Sequence, residues 1–308
     1  MTHPAHGHDH SVDQVVTELA DAAKQAVEDV NKRAGRDMVA ATVVGLALLG
    51  VAGGSLLWFP WGFAVFAAAL GFGAQVEMAH AITRQRGTKV VLVPLLAGTA
   101  TFILGAYAVH AHDFVEPSAF LLATAGLTVV LVAVVRLAGP IPGYVTDVTT
   151  TLFLFAYPGL LISGLMFILA EPGGPAKVAT MVLGVAGADT GGLLLGMLIG
   201  KHPFAPRISP KKTWEGIAGS FLLAGVGVIP MTVFVIGAPW WKGAILAVVI
   251  AVVATAGDLV ESVIKRDLGI KDMGRVLQGH GGIMDRLDSY VLTAVPAYLT
   301  MLWLFGNA

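Results

Sequence analysis

Asp258, Glu261, Ser262 and Lys265 fall at i, i+3, i+4 and i+7 at the end of an apolar run. That spacing puts them on one face of an α-helix, where acids, a hydroxyl and a cation project together. After a turn containing Gly279, Gly281 and Gly282, Asp285 and Asp288 follow at i, i+3. An aspartate there can simply cap a helix, and for Asp288 alone a cap is account enough. Carboxylates on two facing helix ends, with Lys265 and Arg266 between them, instead suit a Mg²⁺ and phosphate site. Magnesium is typically held by one or two carboxylates plus substrate phosphates.

A second polar string, KHPFAPRISPKKTWEG, occupies residues 201–216. Its three prolines make it a structured turn rather than a helix. Ser209, Lys211, Lys212 and Thr213 supply the hydroxyl and ammonium donors that hold phosphates. An ordinary basic flank would explain the cations but not so dense a string. Asp189 lies inside an apolar run, where a carboxylate costs about 2.5–3.5 kcal/mol at mid-span, and it has no packing role of its own. Gly184, Ala188, Gly192, Gly196 and Gly200 recur around it every four residues, a stripe for close helix approach. The stripe is not a nucleotide loop. GMLIGKH at 196–202 has one residue too few between its glycines for a Walker A and lacks the following Ser or Thr. Glu77 and Asp147 also fall in or beside apolar runs; each admits a structural and a functional reading.

The elements that must position these groups are membrane helices. Of 308 residues, 56% are hydrophobic and 13% charged, against about 25% charged in soluble domains. Each crossing takes roughly 20 apolar residues. Nine such runs lie near 38–58, 60–82, 89–110, 118–137, 146–170, 177–200, 216–237, 241–264 and 288–306. They lack the alternation of barrel strands, so the expected fold is an all-α, polytopic integral membrane protein. Seventeen of the 19 Lys and Arg fall on one side of that arrangement, leaving only Lys177 and Lys242 on the other. The basic side faces the cytoplasm, which puts the N-terminus inside. The near-neutral total of −1 conceals a basic face suited to anionic ligands. With no cysteine, thiolate chemistry and disulfides are excluded.

Residues 1–37 form a cytoplasmic tail without the apolar core of a cleavable signal. His3, His6, His8 and His10 admit a metal-binding tail, but are spaced loosely enough to be ordinary terminal residues. From Val12 to Val30 apolar residues recur at helical spacing, opposite Asp21, Lys24, Glu28, Asp29 and Lys32; this reads as an amphipathic helix docked on the cytoplasmic face. Residues 38–308 form one transmembrane catalytic domain, with its motifs densest over 177–290.

The stretch SVIKRDLGIKDMGRVLQGHGGIMDRLD, residues 262–288, resembles the long C-terminal motif of the phosphatidate cytidylyltransferases (CDP-diacylglycerol synthases). The likeness is carried by Ser262, Lys265, Arg266, Lys271, Asp272, His280, Gly281, Gly282, Asp285, Arg286 and Asp288. SPKKTWEG at 209–216, ADTG at 188–191 and GDLVES at 257–262 resemble the same family. The first 140 residues match it only in style.

The resemblance implies an inner-membrane, multi-pass enzyme with a cytoplasmic site that makes CDP-diacylglycerol and pyrophosphate from CTP and phosphatidic acid. It implies metal-binding aspartates at Asp258 and Asp285, with Asp288 as a further candidate. The cofactor is Mg²⁺, with room for a second metal or a monovalent cation. Lys265, Arg266 and Ser262 are then catalytic with Asp258 and Asp285. Ser209, Lys211, Lys212, Thr213, Lys271, Asp272, His280, Arg286 and Asp189 bind substrate; His280 serves equally well as a loop-fixing residue. The bilayer is a partner, nucleic acid is not, and the glycine stripe offers a homodimer surface as well as an internal one.

Other CTP-using membrane enzymes, such as a polyprenol kinase, remain alternatives. CDP-alcohol phosphatidyltransferases need an Asp-Gly dipeptide that this chain lacks. An ion-coupled transporter would also bury Asp147, Asp189 and Asp258, but would show inverted halves, and the polar stretch after residue 264 would have no role.

Overall fold

A computed structural model of the protein describes residues 50–112, 116–274 and 281–306. The tail, its amphipathic helix and most of the first expected span lie outside these residues; residues 50–58 of that span are helical. Among the described residues, eight helical segments are long and apolar enough to cross a membrane. The protein is an all-α polytopic membrane protein.

The helices are α1 (Pro60–Arg86), α2 (Leu92–His112), α3 (Pro117–Arg136) and α4 (Tyr144–Leu154), the last running through a π-helical turn (Phe155–Leu160) into α5 (Gly164–Ala170). Next come α6 (Gly174–Ile199), a hairpin of β1 (Pro203–Ala205) and β2 (Ser209–Thr213), and α7 (Trp214–Pro230), which ends in a second π-turn (Met231–Ile236). α8 (Trp240–Asp267) and α9 (Met284–Phe305) complete the chain. Prolines open α1 and α3, where a missing N–H costs nothing. Pro158 interrupts the α4 ladder at the π-turn. The expected turn at 201–216 is the β-hairpin, paired antiparallel from Pro203 to Thr213. The last helix starts four residues before the expected 288, so Asp285 sits in its first turn.

Glycines set the helix spacing. A Cβ on Gly191 would run into the Gly219 carbonyl oxygen, and one on Gly187 would lie 2.6 Å from that of Leu223. Backbones of α6 and α7 therefore touch, gaining dispersion and polar contacts in a medium that offers no hydrophobic drive. Gly184, Gly192 and Gly196 face α7 as well, so the stripe is used inside the molecule. Leu193, Leu194, Met197 and Leu198 point outward from α6, apolar surface that lipid can cover.

The basic loops share one end of the bundle. Arg86 pairs with Asp267 at 2.7 Å. Arg136, one of the seventeen cations on the basic side, is buried: its Nη2 lies 2.6 Å from Asp147 Oδ2, and its Nη1 donates to the Pro140 carbonyl at 3.0 Å. Asp147 also accepts from the Lys89 amide at 2.7 Å, so its carboxylate ties the α1–α2 connection to the α3–α4 turn. Of its two readings, the structural one holds. Removing one member of a buried pair typically costs about 3–5 kcal/mol. Arg136→Leu is therefore expected to lower the thermal unfolding midpoint in detergent well below that of a surface change such as Arg207→Leu.

Candidate active site

Helices α8 and α9 cross at Gly257, where a Cβ would stand 2.6 Å from the Asp288 carbonyl oxygen. The two run antiparallel, so Asp288 stands opposite Gly257 and Asp258, and Asp285 one turn outward opposite Glu261. Lys265 binds this second level together. Its ammonium donates to Asp285 Oδ1 at 2.9 Å and pairs with Glu261. Asp285 Oδ2 also accepts the Gly282 amide at 2.8 Å and the Met273 amide at 3.1 Å. Ser262 Oγ donates to Asp258 Oδ1 at 3.3 Å, as the i, i+4 spacing predicts.

The hairpin closes over this mouth. Lys212 Nζ, on β2, lies 2.7 Å from Asp258 Oδ2. Phe204 meets Trp214 edge-on at 4.6 Å between ring centroids, fixing the hairpin base. Thr213 caps α7 by accepting the Gly216 amide at 3.1 Å. Glu215 accepts the amides of Lys201 and His202. Arg266 Nε reaches the Ile208 carbonyl at 3.5 Å, linking the hairpin to α8. From α6, Asp189 accepts from Ser289 Oγ at 3.1 Å, and Asp288 accepts the Ser289 amide at 2.8 Å.

Asp189, Lys212, Asp258, Ser262, Lys265, Asp285 and Asp288 thus meet at one end of α6, α8 and α9. Ser209 and Lys211 lie along β2 and Thr213 closes it, with Lys211 exposed. Lys271 and Asp272 are exposed in the turn after α8, and Arg286 on the first turn of α9; Arg286 is within electrostatic reach of Asp189. His280 lies outside the described residues.

Three further residues join the site. Glu261, seen in sequence only as a member of the α8 face, is almost fully buried, and its Oε1 has no hydrogen-bond partner among the described residues. Ser289 bridges to α6. Tyr157, on the π-turn, has a buried hydroxyl without a partner among the described residues and lies within electrostatic reach of Asp288 and Glu261. Only the π-turn, a frequent mark of functional sites, could have drawn attention to Tyr157, and Pro158 alone does not announce one.

Five carboxylates (Asp189, Asp258, Glu261, Asp285, Asp288) are neighbours of three cations here, Lys212, Lys265 and Arg286. The excess of carboxyl groups over cations and the unpartnered Glu261 oxygen leave a place for a further cation or for protons shared among the acids. Among the described residues no three His, Asp or Glu gather closely enough to hold a metal by themselves. A cation at this mouth would therefore need oxygens from a ligand or water, the usual habit of magnesium.

Residues 39–305 match the cytidylyltransferase family. The chain is 38% identical to the phosphatidate cytidylyltransferase of Mycobacterium leprae over 95% of this chain and 96% of that one. It is also 38% identical to that of Mycobacterium tuberculosis (strain H37Rv), over 92% and 88%. The phosphatidate cytidylyltransferase of Staphylococcus saprophyticus shares 43% identity across 104 residues, a third of this chain. With the match running from before α1 to the last turn of α9, the chain belongs to the cytidylyltransferase family.

Proposed function

We propose that the protein transfers the cytidylyl group of CTP to phosphatidic acid, giving CDP-diacylglycerol and pyrophosphate. One observation carries the reading: lysines from two separate polar segments, Lys212 and Lys265, are ion-paired to aspartates on α8 and α9 at a single helix mouth. Such lysines can exchange a carboxylate for an arriving phosphate. Similarity to phosphatidate cytidylyltransferases over nearly the whole chain supports the same choice of substrates.

The basic end of the bundle faces the cytoplasm of the inner membrane, where CTP is available. Its roughly four negative charges are drawn to the basic loops. The lipid stays anchored by its acyl chains while its headgroup reaches the mouth of α8 and α9. A phosphate oxygen of the lipid attacks the α-phosphorus in line. That P–O bond forms as the α–β bridge breaks, and the electron pair leaves with pyrophosphate. A phosphate monoester's second pKa is about 6, so the nucleophile is already ionised and no general base is required.

Catalysis then rests on positioning and charge neutralisation. Lys265 and Arg266 stabilise the leaving pyrophosphate, Lys211 and Lys212 orient phosphates from the hairpin, and Ser209 and Ser262 donate hydrogen bonds. Asp288, whose Oδ1 takes only the Ser289 amide, has the freest oxygens for Mg²⁺, and Asp258 offers its own once Lys212 turns to a phosphate. Asp285 joins them only by giving up Lys265 or an amide. When bound, the ion would neutralise triphosphate charge.

The test is purified protein in detergent with phosphatidate, Mg²⁺ and CTP labelled at either the α or the γ position. Label from the α position alone is expected in the lipid product, with one pyrophosphate released per turnover. Transfer of the γ label would identify a lipid kinase instead.

A further inference from the structure

We infer that Glu77, on α1, is a positioning residue for this reaction, holding the start of α9 in register. The inference rests on the proposed activity. Glu77 is 207 residues away in sequence from Met284, yet its Oε2 accepts the Met284 amide at 3.0 Å. Helix α9 has no side-chain cap of its own at Ile283, so the first turn that carries Asp285 is capped by a carboxylate from another helix. A negative group there also opposes the positive end of the helix dipole.

Two glycines close around the same carboxylate. A Cβ on Gly274 would lie 2.5 Å from Glu77 Oε1, and one on Gly282 2.5 Å from Oε2. The neighbouring Asp285 accepts the amides of Met273 and Gly282. Asp285 thus ties Met273 to Gly282 from within the motif, while Glu77 packs against Gly274 and Gly282 from outside it and bonds to Met284. Because Asp285 also holds Lys265, a shift of α9 away from Glu77 would carry Asp285 and Asp288 off the α8 residues they face. Burying a carboxylate in a span is costly, and only 7% of Glu77 is exposed. Lipid packing gives no reason for it; registering the motif does.

Geometry supplies a test that separates positioning from general support. The three atoms nearest a Cβ built on Gly274 all belong to the Glu77 side chain, and the Gly274 φ is not in the left-handed region. Gly274→Ala therefore acts by pushing the Glu77 carboxylate off the Met284 amide. Outer supporting residues typically matter by about 10–100-fold.

Against the wild-type turnover, Glu77→Leu is expected to lower kcat by that factor with KM for CTP within about twofold of wild type. Glu77→Gln, which keeps an oxygen for the amide, should recover most of the loss. Gly274→Ala should lower kcat in the wild type yet change it less than about twofold in a Glu77→Ala background, since contacting residues are non-additive. Hydrogen–deuterium exchange over residues 281–290 should quicken in Glu77→Leu and Gly274→Ala.

Wild-type kcat in Gly274→Ala, effects that multiply in the double variant, or unchanged exchange would overturn the assignment. If Glu77→Leu fails to fold, Gly274→Ala, which removes no buried group, decides. If the wild type makes no CDP-lipid, the proposed function fails, while the exchange measurement still reports on Glu77 as the cap of α9.

Discussion

Asp285→Asn is expected to lower CDP-lipid formation by at least about 100-fold, the scale on which preorganised charge contributes to catalysis. Expression should be unchanged. The amide keeps an oxygen for the Gly282 and Met273 amides, at 2.8 and 3.1 Å in the wild type, so the loop retains its anchor. What disappears is the charge opposite Lys265, whose ammonium is 2.9 Å from Asp285 Oδ1. Lys265 would then lean wholly on Glu261, its partner on the same helix, and lose its aim at an incoming phosphate. Near-normal turnover in this variant would take Asp285 out of the site.

Lys265→Met is expected to have the larger combined effect, because it removes activity and stability together. Lys265 is the shared partner of Glu261 and Asp285, whose side chains are only 1% and 8% exposed. Leaving a buried charge without its partner typically costs about 3–5 kcal/mol. The thermal midpoint in detergent should fall markedly, and turnover should fall at least as far as in Asp285→Asn. Adding Glu261→Gln removes one of the stranded carboxyl groups. Lys265→Met with Glu261→Gln should regain much of the midpoint and none of the turnover. Recovery of both would make Lys265 a structural residue; recovery of neither would mean that the loss of stability does not come from Glu261.

The α8 face was legible in sequence because its members are neighbours on one helix. A period of 3.6 fixes which of them share a stripe, and Ser262 does meet Asp258. Glu77 and Asp147 were visible as acids beside apolar runs, but their partners were not. Asp147 answers to Arg136 and the Lys89 amide, and Glu77 to the Met284 amide. An amide has no sequence signature, and none of these pairings repeats at a helical period.

The sequence by itself determined that this is a helical membrane protein, where most of its spans run, and which two polar segments carry its chemistry. Length, apolarity and local spacing are properties of contiguous residues, so they need no folded partner. Only the tertiary structure decided that Lys212 reaches Asp258, that Ser289 reaches Asp189, and that Asp288 rather than Asp285 stands level with Asp258. Those choices depend on how closely backbones approach at glycines such as Gly257 and Gly191, which is set by the packing of whole helices against one another.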